Sequence, residues 1–422
     1  MVRIGILLAL ICLSIYEWRV GDRKVPYLLA MLGLFLFFSL RFGQGTDYLT
    51  YMSIYANVSP LQNLPRYASF QYGKIEIGVF YLMSFFRMLS VHYAVFIAIV
   101  TGISLIAISR FIRAFSPLPI FALTCFFAIY SLTYMESAIR QLLALSISLG
   151  FVLVDWTRGK RLRPVVCIFI AGLLHTSALV LLVLPLLFCS HRPLFVLQWK
   201  PRAIVLCAAL LLAVSVLINF VDFQPLLQML PAQLSYTILS YYGQSSQLSI
   251  MAFLNRSLFF LIIAALAYLG REQLNQNVKL LFNLYCVGYG LYLLLISFDL
   301  IASRTNVYFR IVEIALLPLL LHQNRDLVRK TVVALPIVMA LMSFIYVKDI
   351  SAIMGFAYYY SNNPLQYPYI TIFNLQDLLD AKFVNVKNAQ AMNAYQTGGF
   401  SWNEYYNTLL RKPSVRSPIV PY

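Results

Sequence analysis

Apolar runs of membrane-spanning length, separated by short polar breaks, dominate this chain. They predict helical spans at roughly 4–18, 25–42, 77–109, 118–135, 137–155, 164–190, 203–221, 251–270, 278–298, 305–321 and 331–347, with 77–109 making one or two passes. Helices are required because lipid offers no partner for loose backbone. The segment 164–190 is 27 residues long, with Gly172 and His175 near its middle, which suggests two half-helices that enter and leave on one side. The pattern predicts an all-α polytopic membrane protein of about 11–12 transmembrane helices, including broken or re-entrant segments. Residues 1–347 read as one transmembrane domain and 348–422 as an aromatic-rich extension on the outer side.

Composition agrees with this reading. The chain is 61% apolar and only 11% charged, with a mean hydropathy of +0.78. A soluble chain of 422 residues would not bury so much apolar surface, so lipid must solvate much of it. A net charge of +17 would suggest nucleic acid in a soluble protein. Here the basic residues cluster in short loops between apolar runs, as in the orientation signal of membrane insertion, and the expected partner is anionic membrane lipid rather than nucleic acid. The clearest cytoplasmic markers are Arg19/Arg23/Lys24, Arg158/Lys160/Arg161/Arg163, Arg271/Lys279 and Arg325/Arg329/Lys330. Residues 223–255 carry no charge and suit the opposite side. The Arg192/Lys200/Arg202 group looks cytoplasmic too, which is why 164–190 must return to the side it entered from. Because Arg110 and Arg113 look cytoplasmic while 41–76 looks external, 77–109 must cross an odd number of times. The N-terminus, 41–76, Glu136, 299–304 and the tail then share the external face. All six cysteines lie in apolar runs without a CxxC pair, and a disulfide framework is not expected. The first run has no small-residue cleavage site and reads as an uncleaved helix.

Ionisable residues at a membrane boundary are costly and direct attention to a working site. Arg41, Asp47 and Tyr51 lie where an apolar span meets water, with Gly43 and Gly45 permitting a tight turn. An interfacial loop, in which Arg41 snorkels and Asp47 caps the next helix, is the structural alternative. Glu76 opens a long apolar stretch, a favourable place for a carboxylate at a helix start. Glu136 and Arg140 are four residues apart, on one face of an expected helix. They read equally as an internal ion pair or, for Arg140 beside Gln141, as a phosphate-binding fork. His175 sits at the suspected break; a lone core histidine is more often structural, but the break favours a role. Arg304 and Tyr308 share a face and suggest ligand contact, whereas Arg310 and Glu313 can pair and read as partly structural. Four scattered histidines, without spaced carboxylates or thiols, carry no metal signature, and no soluble cofactor is expected. No Walker, GxSxG or CxxC motif is present. The tail from Ser351 has nine tyrosines, too aromatic for a disordered linker; rings of this kind serve an interfacial belt or stack on sugars.

At these residues the chain resembles the EpsG-like, Wzy-type bacterial polysaccharide polymerases. The resemblance rests on Arg41…Gly45-Thr46-Asp47…Tyr51, Glu76 with Gly78, Ile139-Arg140-Gln141…Ala144, His175 with Ser177, Arg304…Tyr308-Phe309 before Leu317-Pro318, and Pro368-Tyr369. It implies a fold like that of the C-type glycosyltransferases and a multi-pass enzyme of the bacterial inner membrane. The enzyme would join undecaprenyl-diphosphate-linked oligosaccharide repeats at the periplasmic face, in O-antigen, capsule or exopolysaccharide synthesis, in company with a chain-length regulator protein. Asp47, Glu76 and His175 would then be the catalytic candidates. Arg41, Tyr51, Glu136, Arg140, Gln141, Arg304, Tyr308 and Arg310 would bind substrate. Cationic side chains at headgroup level would stabilise the departing diphosphate, and a carboxylate would take the acceptor proton. Competing readings are a lipid-linked oligosaccharide flippase, which needs a two-sided cavity and no base, and a ligase or acyltransferase using His175.

Overall fold

A computed structural model describes residues 1–21, 24–61, 76–187, 206, 209–211, 213–214, 250–296, 298–326, 334–356 and 369–373. The expected span at 203–221 falls almost wholly outside them. So do the charge-free stretch up to 249, the basic group at 192–202, Cys189, Cys207 and the tail beyond 373.

The described helices are α1 (Val2–Val20), α2 (Lys24–Leu40), α3 (Tyr48–Asn57), α4 (Ile77–Met88), α5 (Tyr93–Phe115), α6 (Pro119–Tyr130), α7 (Ile139–Ile147), α8 (Leu162–Leu174), α9 (Ile250–Leu269), α10 (Gln276–Leu294), α11 (Asp299–Arg310), α12 (Glu313–Gln323) and α13 (Ala334–Phe356). Among the described residues there is no strand, only an isolated antiparallel bridge between Arg41 and Thr371. The protein is thus an all-α polytopic membrane protein.

Among the described residues, five helical runs are long and apolar enough to cross a membrane singly. They are α5, Pro119–Ser137, Ile139–Thr157, Ala252–Leu269 and Leu335–Ile353, while α11 and α12, bent by 42°, make a sixth if counted as one broken span. The 12 residues of α4 and 13 of α8 reach only about 18–20 Å, short of a hydrocarbon core of about 30 Å. Within the expected stretch 77–109, α5 is therefore long enough to cross on its own and α4 is not. The centre of the bundle is the pair Pro119–Ser137 and Ile139–Thr157, 89% and 83% buried. Around it pack α1, α2, α5, α8, α12 and α13. Apolar transfer does not drive helices together in lipid, so close backbone approach matters more. At Gly150, for example, a Cβ would come within 2.7 Å of the Ala107 carbonyl oxygen of α5.

The bundle has two chemically different ends. At one, Glu17 accepts the N–H groups of Ile120 and Phe121, capping the start of α6 (3.1 and 3.0 Å). Nearby Asp155, fully buried, gathers Arg110 (2.8 Å), Arg163 (3.1 Å) and Lys160 (3.5 Å). Arg325 donates to the Trp18 carbonyl there (2.8 Å). The other end holds the loop 41–47, the turn at Ala138 and the break at His175.

Candidate active site at one end of the bundle

The two central helical runs are parted by a break where the site forms. After α6 the chain widens into a π-helical turn, Ser131–Ser137, closed by the Ala138 N–H donating to the Thr133 carbonyl (2.8 Å). Ala138 leaves helical geometry (φ −86°, ψ 66°), and its carbonyl then starts α7 by accepting from Leu142. This interruption separates Glu136 from Arg140. The expected shared helix face does not form, and with it the ion-pair reading of Glu136 with Arg140 falls, because residues 136–140 are not one continuous helix.

Arg140 turns instead towards the loop and the re-entrant segment. Its Nε donates to the Tyr51 hydroxyl of α3 (2.7 Å) and its Nη1 pairs with Glu76, the residue before α4. The other Glu76 carboxylate oxygen lies 3.4 Å from the Thr176 amide and 3.5 Å from its hydroxyl. The neighbouring Gln141 donates to the Arg304 carbonyl (3.0 Å) and so ties α7 to α11.

The expected break within 164–190 is present at His175, in the part of the segment described up to residue 187. The α-helical part stops at Leu174, His175 is extended (φ −155°, ψ 115°), and a 3₁₀ segment, Thr176–Leu182, folds back against α8. Gly172 permits that packing, since a Cβ there would overlap the Leu179 side chain. Ser177 Oγ lies 2.6 Å from His175 Nδ1. The charges that act on His175 are those of Glu76, Arg140 and Arg304. Tyr308, fully buried one turn beyond Arg304, sits against Ser177. Tyr51, Glu76, Arg140, Gln141, His175, Arg304 and Tyr308 thus come from five chain segments into one cluster.

Glu136 belongs to a second network. Both its carboxylate oxygens accept from Arg3 (3.1 and 3.0 Å), and Arg3 also donates to the Gln44 carboxamide (2.8 Å). All three residues are at most 2% exposed. The Arg3 guanidinium lies 5.7 Å from the Phe37 ring centre and 5.8 Å from that of Tyr369. Tyr369 stacks on Phe37 and donates to its carbonyl (2.7 Å); burial pushes this phenol up to about 12, so it stays protonated. Residues 370–372 pair with the end of α2 through Phe42 N–H to Ile370 O (2.9 Å) and Ile372 N–H to Leu40 O (3.0 Å). Sequence reasoning missed Arg3, whose charge was absorbed into the basic start of a first membrane helix. A cation three residues into an apolar run, with Glu136 in another, was the available signal.

Arg41 and Asp47 do not face each other. Arg41 is 2% exposed, donates to the Phe38 carbonyl and lies 5.7 Å from the Tyr48 ring centre. Gly45, at φ +86°, lets the loop press on the turn after α6, where a Cβ would overlap the Glu136 carbonyl. Thr46 N–H then donates to Ser137 Oγ (3.1 Å). Asp47 is half-buried at the start of α3 but accepts no helix N–H; its Oδ1 takes the Thr46 hydroxyl (2.9 Å). It lies one turn before Tyr51, near the Arg140 cluster. Arg310 pairs with Glu313 (3.1 Å), which also accepts from Tyr130 (2.6 Å) and Tyr285 (2.9 Å), a buried brace between helices. Among the described residues no group of three His, Cys, Asp or Glu side chains is placed to hold a metal ion.

The described helices form a membrane bundle in which cations and carboxylates from separate segments meet at the end opposite Glu17 and Asp155, and the protein is a multi-pass membrane protein. The model of the EpsG family matches residues 24–367, and the chain belongs to that family, which is associated with polysaccharide polymerisation. No curated protein and no solved structure matches it.

Proposed function

We propose that the chain is a glycosyltransferase of the polymerase type, joining undecaprenyl-diphosphate-linked oligosaccharide repeats at the periplasmic face of the inner membrane. The observation that carries this reading is the convergence of Arg140, Arg304, Glu76 and His175 at one bundle end, beside the half-buried carboxylate of Asp47. Donor energy is stored in the sugar–diphosphate bond, so the chemistry needs a stabilised leaving group and a base. Arg140 and Arg304 hold the donor diphosphate, with Arg140 oriented by Tyr51 and Glu76. The acceptor hydroxyl oxygen attacks the anomeric carbon as the bond from that carbon to the phosphate oxygen breaks. The lipid diphosphate leaves with the bonding pair, and Asp47 takes the hydroxyl proton. Glu76, engaged with Arg140, is the competing base. His175, fixed by Ser177, offers a hydrogen bond to the donor.

Chain-length analysis of the surface polysaccharide after deletion of the gene tests this. Loss of polymerase leaves material capped by a single repeat, restored to long chains by the wild-type gene. Absence of any capped repeat would point to a flippase instead, because unflipped repeats never reach the outer face.

A further inference from the structure

A polar cavity of about 220 Å³ lies between the π-helical turn after α6 and helices α9, α11 and α13. Its lining includes three cationic side chains, Arg256, Arg310 and Lys348, and one carboxylate, Asp349. Lys348 and Asp349 are 3.0 Å apart, and Arg256 donates to Ser303 Oγ (2.8 Å) over the Tyr292 ring. Arg310 is held from behind by Glu313 at 3.1 Å, yet its Nη2 is buried without a hydrogen-bond acceptor. Asn306, 3% exposed, likewise has a carboxamide oxygen with no donor. A buried guanidinium donor lacking an acceptor is costly in a membrane-embedded bundle, and phosphate oxygens are the acceptors its planar fork best fits.

Helix α11 separates this cavity from the Arg140 cluster. Ser303, Val307 and Arg310 line the cavity, while Arg304 and Tyr308 on the adjacent face serve the cluster. The helices flanking the cavity, α9 and α13, turn Leu254, Leu258, Leu261, Ile337 and Phe344 outward. An apolar tail can stay in the bilayer beside them while a phosphate head occupies the cavity.

We propose that this cavity binds the phosphate head of a second polyprenyl diphosphate lipid, so that two lipid diphosphates sit on either side of α11. The proposal rests on the polymerase reading, in which donor and acceptor each bring a lipid diphosphate. Native mass spectrometry of the purified full chain with undecaprenyl diphosphate, in excess phosphatidylglycerol, tests it. The wild type is expected to bind two undecaprenyl diphosphates. Lys348→Gln and Arg256→Gln, which leave the Arg310–Glu313 brace intact, are expected to bind one, with unchanged thermal unfolding. Arg140→Gln is expected to lose the other, and the Arg140→Gln, Lys348→Gln double variant both. Two undecaprenyl diphosphates retained in both cavity variants overturn the second site. So does displacement of the second lipid by phosphatidylglycerol, which marks a general headgroup site. Retention of both by Arg140→Gln, with one lost in Lys348→Gln, removes the donor clamp while leaving the cavity site standing. Should a cavity variant unfold, wild-type occupancy under rising phosphatidylglycerol decides between the two lipids.

Discussion

At the residue scale, two arginines of the same end do different work and predict different failures. Arg3 and Glu136 are buried and matched to each other, so their contribution is to the fold. Glu136→Gln removes the charge facing Arg3 and strands a cation in the interior, at a cost of about 3–5 kcal/mol. Membrane-inserted protein should fall and the melting temperature drop, whatever happens to chemistry. Arg140→Lys keeps a cation beside Glu76 but loses the fork, so normal protein levels with strongly shortened polysaccharide are expected. Normal chain length in both Arg140→Lys and Arg304→Lys would remove the diphosphate clamp. For the base, Asp47→Asn should slow elongation by about 10²-fold or more while binding persists, and Glu76→Gln should retain more activity. The reverse ranking in a chain-extension assay transfers the base to Glu76. Among the cluster residues, Glu76 and Arg304 were legible at the edges of expected spans, Arg140 as a cation inside one, and His175 at the suspected break. Their partners were not, since periodicity says which face a residue occupies only while the helix runs on.

At the scale of elements, the interruptions decide which residues meet. The break at His175 was readable because 164–190 is long for one span, with basic groups on both sides and Gly172 and His175 near its middle. The break at Ala138 carried no such mark: Met135-Glu-Ser-Ala-Ile139 contains neither glycine nor proline to announce the π-helical widening. Gly78 tests how tightly one element holds the next. A Cβ there would lie 2.6 Å from the Leu173 carbonyl oxygen, so α4 must move off α8. Glu76, two residues earlier, would move with it, away from Arg140 and Thr176. Gly78→Ala should therefore destabilise by about 1–3 kcal/mol and lower activity in proportion to the displaced carboxylate. Gly33→Ala, where a Cβ meets nothing within 4 Å, serves as the control and should leave unfolding temperature equal or higher. Equal behaviour of the two variants would show that α4 is not fixed by that contact.

At the scale of the whole molecule, the distribution of charge over the two ends carries the topology. The end at Glu17, Asp155 and Arg325 bears the cationic loop Arg158–Arg163, together with Arg19, Lys24, Arg110 and Arg113. The other end bears Arg3, Arg140 and Arg304, each engaged inside the protein rather than in a connecting loop. Short loops rich in lysine and arginine stay on the cytoplasmic side during insertion, whereas cations folded into a site give no such signal. On that argument we propose that the first end is cytoplasmic and that the site faces outward. Residues 369–373 join the same end as the site, since Ile370 and Ile372 pair with Phe42 and Leu40. In a variant lacking the six native cysteines, Thr46→Cys and Phe373→Cys should react with a membrane-impermeant maleimide in intact spheroplasts. Lys160→Cys should react only after lysis. Thr46 and Phe373 are exposed, so failure there cannot be put down to burial. Labelling of Lys160→Cys in intact cells, with Thr46→Cys protected, would invert the bundle. The cluster of Arg140, His175 and Arg304 would then face the cytoplasm, and polymerisation of repeats already carried to the outer face would no longer fit its position.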